Sequence, residues 1–441
     1  MKMKKLLALM LAAVMAFSLA ACSVEKNTTP SDTGSAPSDT GSDTGSGSGT
    51  TVELNWWAFP TFGNNTGYEE ELIAAYTAQH PEVSIKLTII DFTSGPDTLT
   101  AAIESNTAPD VLFDAPGRIV EYGKAGKLAE LSDMFTEEMT ADVSAGVLSA
   151  CSDGTNYWMY PLSSAPFYMG INLEMFQAAG ADQYLNLEGD RTWSTEDFQN
   201  ACAALKQAGY VPGIVYCGGQ GGDQGTRALV SNLYGAQIAN DAKTEYTMNS
   251  PEGVQAMALL QQMVNDGYLD AATDMQAAQE LEMFQTENCA MTFCWGTSNA
   301  INYASEDFTQ VSVPFPSDDS VPELETLHNG FCVFDNGDEA KIAAAKQFVQ
   351  FICDDAEWGP KSVVQTGALP VRASFGNLYE GNEEMELLSG WSKYYANYYN
   401  TMDGFATMRT EWWNMLQRVL ASGGDPQTEL DTYVANSNAA M

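Results

Sequence analysis

The order of strand and helix signals after residue 52 is the feature that most constrains how this chain folds. Residues 52–59 form a mostly apolar run typical of a buried strand, and residues 83–90 alternate as a second strand does. Between them, Leu72 and Tyr76 stand at helical spacing. A third strand is predicted at residues 111–113. Strands that alternate with helices in this way predict an α/β fold with a largely parallel sheet.

The length of the chain predicts more than one folded unit. About 390 residues follow the first strand signal, which exceeds the usual size of a single hydrophobic core and suggests two domains. Residues 157–172 form a long, weakly polar extended segment, which we expect to cross between the domains. Further helices are predicted from Ser250-Pro251 onward, where serine suits the N-cap and proline the first turn, and over residues 340–353 and 406–420.

The charge balance excludes several classes of partner. The chain carries 58 acidic and 19 basic residues, for a formal net charge of −39. Phosphate backbones repel such a surface, so we expect no nucleic-acid partner, and anionic substrates are disfavoured. Charged residues make up only 17% of the chain and apolar ones 45%, which is the composition of a folded protein rather than of a disordered acidic tail.

The first 21 residues have the pattern of a secretory signal. A lysine-rich start precedes the apolar residues 6–19, a run too short to span a membrane. The tetrad Leu19-Ala20-Ala21-Cys22 resembles the lipobox of bacterial lipoproteins, in which the chain is cut before a cysteine that carries a diacylglycerol. The alternative is an ordinary signal peptide followed by a chance cysteine. We expect removal of residues 1–21 and anchoring of lipidated Cys22 at the outer face of the bacterial cell membrane, through a flexible Ser/Gly/Thr/Asp linker over residues 22–51.

Cysteine, histidine and glycine usage predicts no metal, cofactor or disulfide framework. Besides Cys22 there are seven scattered cysteines, and most stand beside apolar residues, so we expect small buried side chains. The two histidines, His80 and His328, do not combine with them at a zinc-binding spacing. The glycine-rich residues 218–223 lack phosphate-binding spacing, and we expect a loop at the edge of a cleft that lets the backbone approach a ligand.

Six segments are informative as an ordered set. They are Ala102-Ile103-Glu104-Ser105-Asn106-Thr107-Ala108-Pro109-Asp110-Val111, Gly126-Lys127-Leu128-Ala129-Glu130-Leu131, Tyr168-Met169-Gly170-Ile171-Asn172, Thr192-Trp193-Ser194-Thr195-Glu196-Asp197-Phe198, Cys289-Ala290-Met291 and Gly367-Ala368-Leu369-Pro370-Val371-Arg372. In this order they resemble the motifs of family 1 extracellular solute-binding proteins, the maltose-binding-protein-like receptors of ABC importers. The chain departs from that family at Glu287-Asn288-Cys289, where Gly-Lys-Ala is usual, and at Trp295-Gly296, which comes slightly early.

The resemblance implies a periplasmic-binding-protein type II fold, in which a hinge joins two α/β lobes and a ligand cleft lies between them. It implies an N-terminal lobe of residues 52–163 plus 314–364 and a C-terminal lobe of residues 164–313 plus 365–441. It also implies a monomer that binds a mono- or oligosaccharide without catalysis and delivers it to the permease subunits of an ABC importer.

Aromatic and polar side chains near the family positions are the predicted sugar contacts. Aromatic rings suit the apolar face of a pyranose, and charged or amide groups suit its hydroxyls. The predicted ligand-binding residues are Trp56, Trp57, Asp114, Arg118, Tyr160, Trp295, Asn329, Arg372, Trp412 and Trp413.

Two pairs of adjacent tryptophans leave alternatives open. Successive residues of a strand face opposite sides of the sheet, so only one of Trp56 and Trp57 can face the cleft, and Trp57 is favoured. One of Trp412 and Trp413 is expected to face the cleft and the other the core.

Other predicted contacts have structural alternatives as well. Arg118 could be a surface residue of a helix, and Trp295 could be a core residue. The tyrosines of residues 394–399 could face the core, a lobe surface or the cleft.

Other functions compete with sugar binding. The acidic composition would also suit a cationic solute such as a polyamine, and a peptide is a further alternative. An exported glycoside hydrolase needs two carboxylates at a fixed separation, and no motif marks such a pair. A serine hydrolase is disfavoured because the chain has only two histidines and no Gly-x-Ser-x-Gly elbow.

Overall fold

The computed structural model describes residues 52–60, 62, 67–91, 94–302 and 307–441. The predicted signal segment, Cys22 and the linker lie outside these ranges. Among the helices that are described, none is both long and apolar enough to cross a membrane.

The described strands form one large mixed sheet and one small parallel pair. They are β1 (Val52–Ala58), β2 (Val83–Ile89), β3 (Val111–Asp114), β4 (Tyr160–Asn172), β5 (Ile214–Tyr216), β6 (Asp270–Ala272), β7 (Met291–Gly296), β8 (Gln310–Val313), β9 (Thr326–Val333) and β10 (Leu369–Pro370). The large sheet runs in the order β10-β4-β9-β3-β1-β2, with β7 and β8 also paired to β4, while β5 pairs with β6.

Helices connect the strands throughout the described ranges. They are α1 (Tyr68–Gln79), α2 (Gly95–Glu104), α3 (Pro116–Lys124), α4 (Glu137–Asp142), α5 (Ala145–Ala150), α6 (Leu173–Ala179), α7 (Thr195–Gln207), α8 (Gln224–Tyr234), α9 (Pro251–Asn265), α10 (Ala277–Gln285), α11 (Thr297–Asn302), α12 (Glu339–Asp354), α13 (Trp358–Gln365), α14 (Glu383–Gly390), α15 (Phe405–Leu420) and α16 (Pro426–Ala439).

Local sequence sets the start of the helices that the sequence predicts best. At α9 the Ser250 side chain accepts a hydrogen bond from the backbone N–H of Gly253, and Pro251 takes the first helical position. At α7, Ser194 and Asp197 form a reciprocal capping box inside one of the family-like motifs.

The first lobe is built around three parallel strands. β1 pairs in parallel with both β2 and β3, and β9 lies antiparallel to β3. Because β1 and β3 run in the same direction, their carboxyl ends at Ala58 and Asp114 meet at one edge of the sheet. In open α/β sheets this is the edge at which ligands bind.

β4 passes from one hydrophobic core to the other. Tyr160 and Leu162 pack in the core of the first lobe, whereas Tyr168 and Ile171 pack in the core of the second. The first half of β4 pairs with β9 and β10, and the second half pairs with β7 and β8. The extended segment predicted at residues 157–172 therefore does cross between two folded units.

The Pro-Asp motif before β3 has a structural role. The Asp110 carboxylate accepts hydrogen bonds from the backbone N–H of Asn55, at 2.8 Å, and from the side-chain amide of Asn336, at 2.6 Å. Lys341 on α12 lies 3.4 Å from the same carboxylate. Asp110 thus ties β1 and the residue before β3 to the start of α12, which fixes where β3 begins.

The departure from the family at residues 287–289 coincides with an unusual backbone conformation. Glu287 has a φ of 59°, in the left-handed region. Glycine adopts this region at little cost, whereas a residue with a Cβ is strained there. Glycine, which the resembled motif has at this place, would therefore adopt the turn before β7 with less strain.

Candidate ligand-binding site

The carboxyl edge of the first lobe carries an ion pair between Asp114 and Arg118. Asp114 ends β3, and Arg118 lies four residues on, in the first turn of α3. The Nε and terminal nitrogens of Arg118 donate to the two oxygens of the carboxylate at 2.7 and 2.5 Å. The guanidinium also lies 4.8 Å from the centre of the Phe59 ring. Burial lowers the pKa of Arg118, but the hydrogen bonds to Asp114 and the charges of Asp114, Tyr122 and Glu121 together raise it by more, so this side chain stays charged.

The adjacent tryptophans of β1 divide between core and surface. Trp56 is fully buried, and its ring centre lies 5.2 Å from that of Phe62 and 5.4 Å from that of Phe348. This burial corrects the inclusion of Trp56 among the ligand contacts, because its ring offers no surface to a ligand. Trp57 is partly exposed and stays a predicted contact.

Tyr160 and Arg372 are not free to meet a ligand, because they bond to Asp354 and to each other. The Tyr160 hydroxyl donates to Asp354 at 2.6 Å, and Arg372 forms an ion pair with the same carboxylate. Arg372 also donates to the Tyr160 hydroxyl at 3.1 Å. Burial is the main cause that raises the pKa of Tyr160. Tyr160 and Arg372, which the sequence predicts as ligand contacts, instead belong to a structural cluster. This cluster ties the segment after β10 to the end of α12.

The strand β9 carries two polar side chains at the crossing. His328 lies with its Nδ1 3.0 Å from the Ser164 hydroxyl, and burial lowers its pKa to about 4. The ring is therefore neutral at physiological pH. Asn329, a predicted contact on the same strand, is buried as well.

The tryptophans of the second lobe are mostly core residues. Trp295 is buried with its ring centre 5.5 Å from that of Phe284, so its core alternative is the correct one. Trp412 is also buried, and its indole N–H donates to the Thr226 hydroxyl at 3.0 Å, which corrects its place among the contacts. Trp413 is partly exposed and stays a predicted contact.

Residues 396–404, here called the bridging segment, lie between the two lobes. The Tyr398 ring packs 4.7 Å from the His328 ring, and the Tyr398 hydroxyl is buried without a hydrogen-bond partner. Asn400 is buried as well. A small pocket lies beside them, with Glu325 and Thr326 in its wall. The sequence left the orientation of Tyr398 open and did not single out Asn400, because this irregular segment has no periodicity to follow.

A fully buried ionic network holds the bridging segment to the second lobe. Arg227 is ion-paired to Asp223 and Glu325, and its Nε donates to the Tyr399 hydroxyl at 2.7 Å. Tyr399 in turn donates to Glu325 at 2.6 Å, and Arg409 on α15 binds Asp223. Burial raises the pKa of Glu325, and the Arg227 guanidinium opposes that shift. The charges are neutralised within the lobe, so this cluster positions the bridging segment.

Two of the glycines in residues 218–223 are packed too closely to carry a side chain. A Cβ added at Gly218 would lie 2.6 Å from the carbonyl carbon of Asp274, and one at Gly222 would lie 2.4 Å from the Cβ of Ala277. These glycines allow the loop to pack against residues 274–277. Gly219 and Gly221 are more open, since a Cβ added there meets only the Gln276 side chain, at 3.4 and 3.8 Å. That this loop lets the backbone approach a ligand stays a prediction.

Metal and thiol chemistry gain no support from the described residues. No group of three or more His, Cys, Asp or Glu side chains in these ranges is arranged to hold a metal ion. All seven cysteines of the described part are unpaired, and all but Cys294 are buried, as the sequence predicts.

The family follows from residues 62–357. They match the family model described as bacterial extracellular solute-binding protein, which covers more than half of the chain. The chain belongs to this family. The ordered motifs of the sequence predict the same family, and that prediction is confirmed.

Solved structures similar to this solute-binding protein have the predicted fold. The GacH receptor of Streptomyces glaucescens, solved unliganded and with acarbose, is 14% identical with a TM-score of 0.73, over 88% of this chain and 97% of that one. A solute-binding protein of Thermotoga lettingae, bound to α-D-tagatose, is 15% identical with a TM-score of 0.74, over 88% and 100%. Lmo0181 of Listeria monocytogenes, in complex with cycloalternan, is 18% identical with a TM-score of 0.70, over 88% and 98%. These similarities confirm the type II fold with two α/β lobes.

A curated relative matches a smaller part of the solute-binding protein. It is an uncharacterised lipoprotein encoded in the oleD 5′ region of Streptomyces antibioticus, 26% identical over 110 residues. The match covers 25% of this chain and about a quarter of the relative's length.

Proposed function

We propose that this solute-binding protein captures a mono- or oligosaccharide between its two lobes and delivers it to the permease subunits of an ABC importer. One observation carries the proposal: the polar edge at Asp114 and Arg118 lies beside a contact between the lobes, where Gly117 meets Asn400. A ligand held there would meet charged, amide and aromatic groups from both lobes. Acarbose, tagatose and cycloalternan bound to similar structures favour a carbohydrate over other solutes.

The contacts that we propose for the sugar differ from the sequence prediction. Trp57, Asp114, Arg118, Asn329 and Trp413 remain from that prediction. To these we add two buried side chains of the bridging segment, Tyr398 and Asn400. Rings would stack on the sugar face, and the polar groups would replace water at its hydroxyls.

Anchoring and partners complete the proposal. We propose that the chain is processed before Cys22, that the lipidated cysteine holds the protein at the outer face of the membrane, and that it acts as a monomer without turnover. The lipoprotein nature of the curated relative supports the anchor. A tether raises the effective concentration of the loaded protein near its importer.

The lobe boundaries are also proposed. Phe315 and Leu324 pack in the core of the second lobe, so we assign residues 314–325 to that lobe rather than to the first. Val371 packs in the core of the first lobe, with Phe375 and Leu378 against it, so we assign residues 371–378 to the first lobe. The remaining boundaries predicted from the sequence are kept.

A thermal-shift panel tests the proposed substrate class. A ligand that binds only the folded protein raises its unfolding temperature in a concentration-dependent way. We expect a shift with at least one of acarbose, α-D-tagatose, cycloalternan and maltotriose. A shift with spermidine or a peptide and with none of the sugars would contradict the proposal, and release of products from an oligosaccharide would favour a hydrolase.

A matched pair of variants tests the site. Arg118→Ala should abolish the shift caused by the sugar, because Arg118 is proposed to bind its hydroxyls. Lys346→Ala removes a cation that pairs with Asp133 on the surface of the same lobe, and it should leave the shift intact. If the sugar raises the unfolding temperature of both variants equally, Arg118 does not contact the sugar and the proposed site is wrong.

A further inference from the structure

The helix α3 touches the second lobe at both of its ends. A Cβ added at Gly117 would lie 2.9 Å from the backbone oxygen of Asn400 and 3.3 Å from the ring of Phe405. At the other end of the helix, the Lys124 ammonium donates to the Asp403 carboxylate at 2.6 Å. The first lobe thus meets the bridging segment and the start of α15 at both ends of one helix.

The partners of α3 belong firmly to the second lobe. Met402 and Phe405 are buried in its hydrophobic core. The Tyr246 hydroxyl, also in that core, donates to the backbone oxygen of Asp403 at 3.2 Å. The contacts of Gly117 and Lys124 are therefore contacts between lobes, and they would change if the lobes moved apart.

The two ends of this contact differ in strength. Gly117 allows the backbones to approach so closely that no side chain fits between them. The ion pair is weaker, since the side chains of Lys124 and Asp403 are 35% and 59% exposed. Close packing at Gly117 should therefore govern how far the lobes close, with the ion pair as a smaller contribution.

We propose that Gly117 and Lys124, with Asp403, Phe405 and the backbone of Asn400, form a closure surface that sets the affinity for ligand through the packing of the lobes rather than through contact with the ligand. The inference rests on the proposed function in one respect, that the ligand is held between the lobes. When only the closed conformation binds, the measured affinity falls with the fraction of molecules that can reach it. A side chain at position 117 would wedge the lobes apart and lower that fraction.

Small-angle scattering without any sugar tests the wedge directly. Gly117→Val should enlarge the radius of gyration relative to the unmodified protein. Gly146→Val is the matched control, because Gly146 lies on α5 of the same lobe and a Cβ there meets nothing within 4 Å. If all three proteins scatter alike, the closure surface is refuted, whether or not a sugar binds.

Titration with maltotriose measures the consequence for affinity. Gly117→Val should weaken binding about tenfold or more, as expected when a well-packed contact is overfilled, while its unfolding temperature stays near that of Gly146→Val. Unchanged affinity in an opened variant would overturn the inference. Absence of binding by the unmodified protein would instead count against the proposed carbohydrate, and the scattering result would still decide the closure surface.

Exchanging the charges of Lys124 and Asp403 tests the ion pair at the second end of the closure surface. Lys124→Asp and Asp403→Lys should each weaken binding about two- to fivefold, the range of an exposed ion pair. The double variant restores the attraction with the charges exchanged, so it should recover most of the affinity. If the double variant instead loses as much affinity as the two single variants combined, the ion pair does not contribute to the closure surface.

Discussion

Each lobe contains a pair of adjacent tryptophans of which one is buried and the other partly exposed. A strand separates the two side chains in the first lobe, and a helix separates them in the second. In β1, Trp56 and Trp57 point to opposite faces of the sheet because side chains alternate along a strand. In α15, Trp412 and Trp413 are separated by the roughly 100° turn between successive residues of a helix. In both pairs the first residue is buried and the second is partly exposed.

The buried members of the two pairs differ in the polarity of their surroundings. The indole N–H of Trp56 has no hydrogen-bond partner and is surrounded by aromatic rings, whereas that of Trp412 donates to Thr226. In both lobes, therefore, two adjacent tryptophans occur where the backbone passes between the core and the surface. The polar environment of the buried ring is decided by the neighbours that the fold supplies.

Alanine at the buried positions should have the largest effect on stability. Trp56→Ala and Trp412→Ala each leave a large cavity and should lower the free energy of unfolding by about 3–5 kcal/mol. Trp57→Ala and Trp413→Ala should cost much less and should weaken ligand binding instead. Urea unfolding together with titration checks this division, and equal stability losses within a pair would break the comparison.

A pH series should show a further difference between the lobes. Glu280 on α10 is fully buried in the second lobe, and burial raises its pKa to about 8, against the opposing hydrogen bonds from Thr292 and Phe293. The unfolded chain loses this proton near its ordinary pKa of 4.5, so the folded state binds the proton more tightly. The free energy of unfolding should therefore fall as pH rises from about 4.5 to 8, by about 1.4 kcal/mol for each unit of pKa difference.

Glu280→Gln should remove this part of the pH dependence, because the amide keeps the shape and an acceptor oxygen but does not ionise. Chemical unfolding at several pH values measures the difference between the two proteins. Glu282→Gln on the exposed side of the same helix is the control and should keep the slope. A slope that survives in Glu280→Gln would show that another group causes it.

Phenylalanine at the two buried tryptophans should sharpen the comparison further. Both substitutions remove part of the ring, but only Trp412→Phe also breaks a hydrogen bond. Trp412→Phe should therefore be less stable than Trp56→Phe by about 1 kcal/mol. The same denaturation assay measures this difference, and a larger loss in Trp56→Phe would contradict the assigned polar environments.

The smallest expected effect concerns the turn before β7 in the second lobe. Glu287→Gly removes the Cβ that strains a residue in the left-handed conformation, which stabilises the folded state. The greater conformational freedom of glycine in the unfolded chain offsets part of this gain. We expect a net stabilisation of about 0.5 kcal/mol, visible as a higher unfolding temperature. Glu282→Gly, in the middle of α10, should instead be destabilising because glycine disfavours a helix interior.

Elements with a strong local pattern were predictable from the sequence. The helix expected over residues 340–353 is α12 (Glu339–Asp354), and the one expected over residues 406–420 is α15 (Phe405–Leu420). Periodicity and capping act over a few residues, so the sequence carries them directly. The family followed in the same way, from short motifs in a fixed order.

The candidate site was predictable only in part. Tyr160 and Arg372 have the chemistry of sugar contacts, but Asp354 lies next to them only in the folded chain and occupies their polar groups. Asp114 and Arg118 are four residues apart on one chain segment, which is why their proximity could be anticipated. The bridging segment gave no comparable signal because its partners are distant in sequence.

The sequence by itself determined the α/β class, the crossing segment and the family, and it predicted that one tryptophan of each adjacent pair lies in the core. Tertiary structure alone decided which polar groups are already satisfied, and it brought Gly117 against Asn400. The physical reason is range: periodicity is a property of neighbouring residues, whereas burial and pairing depend on side chains that meet only when the chain has folded.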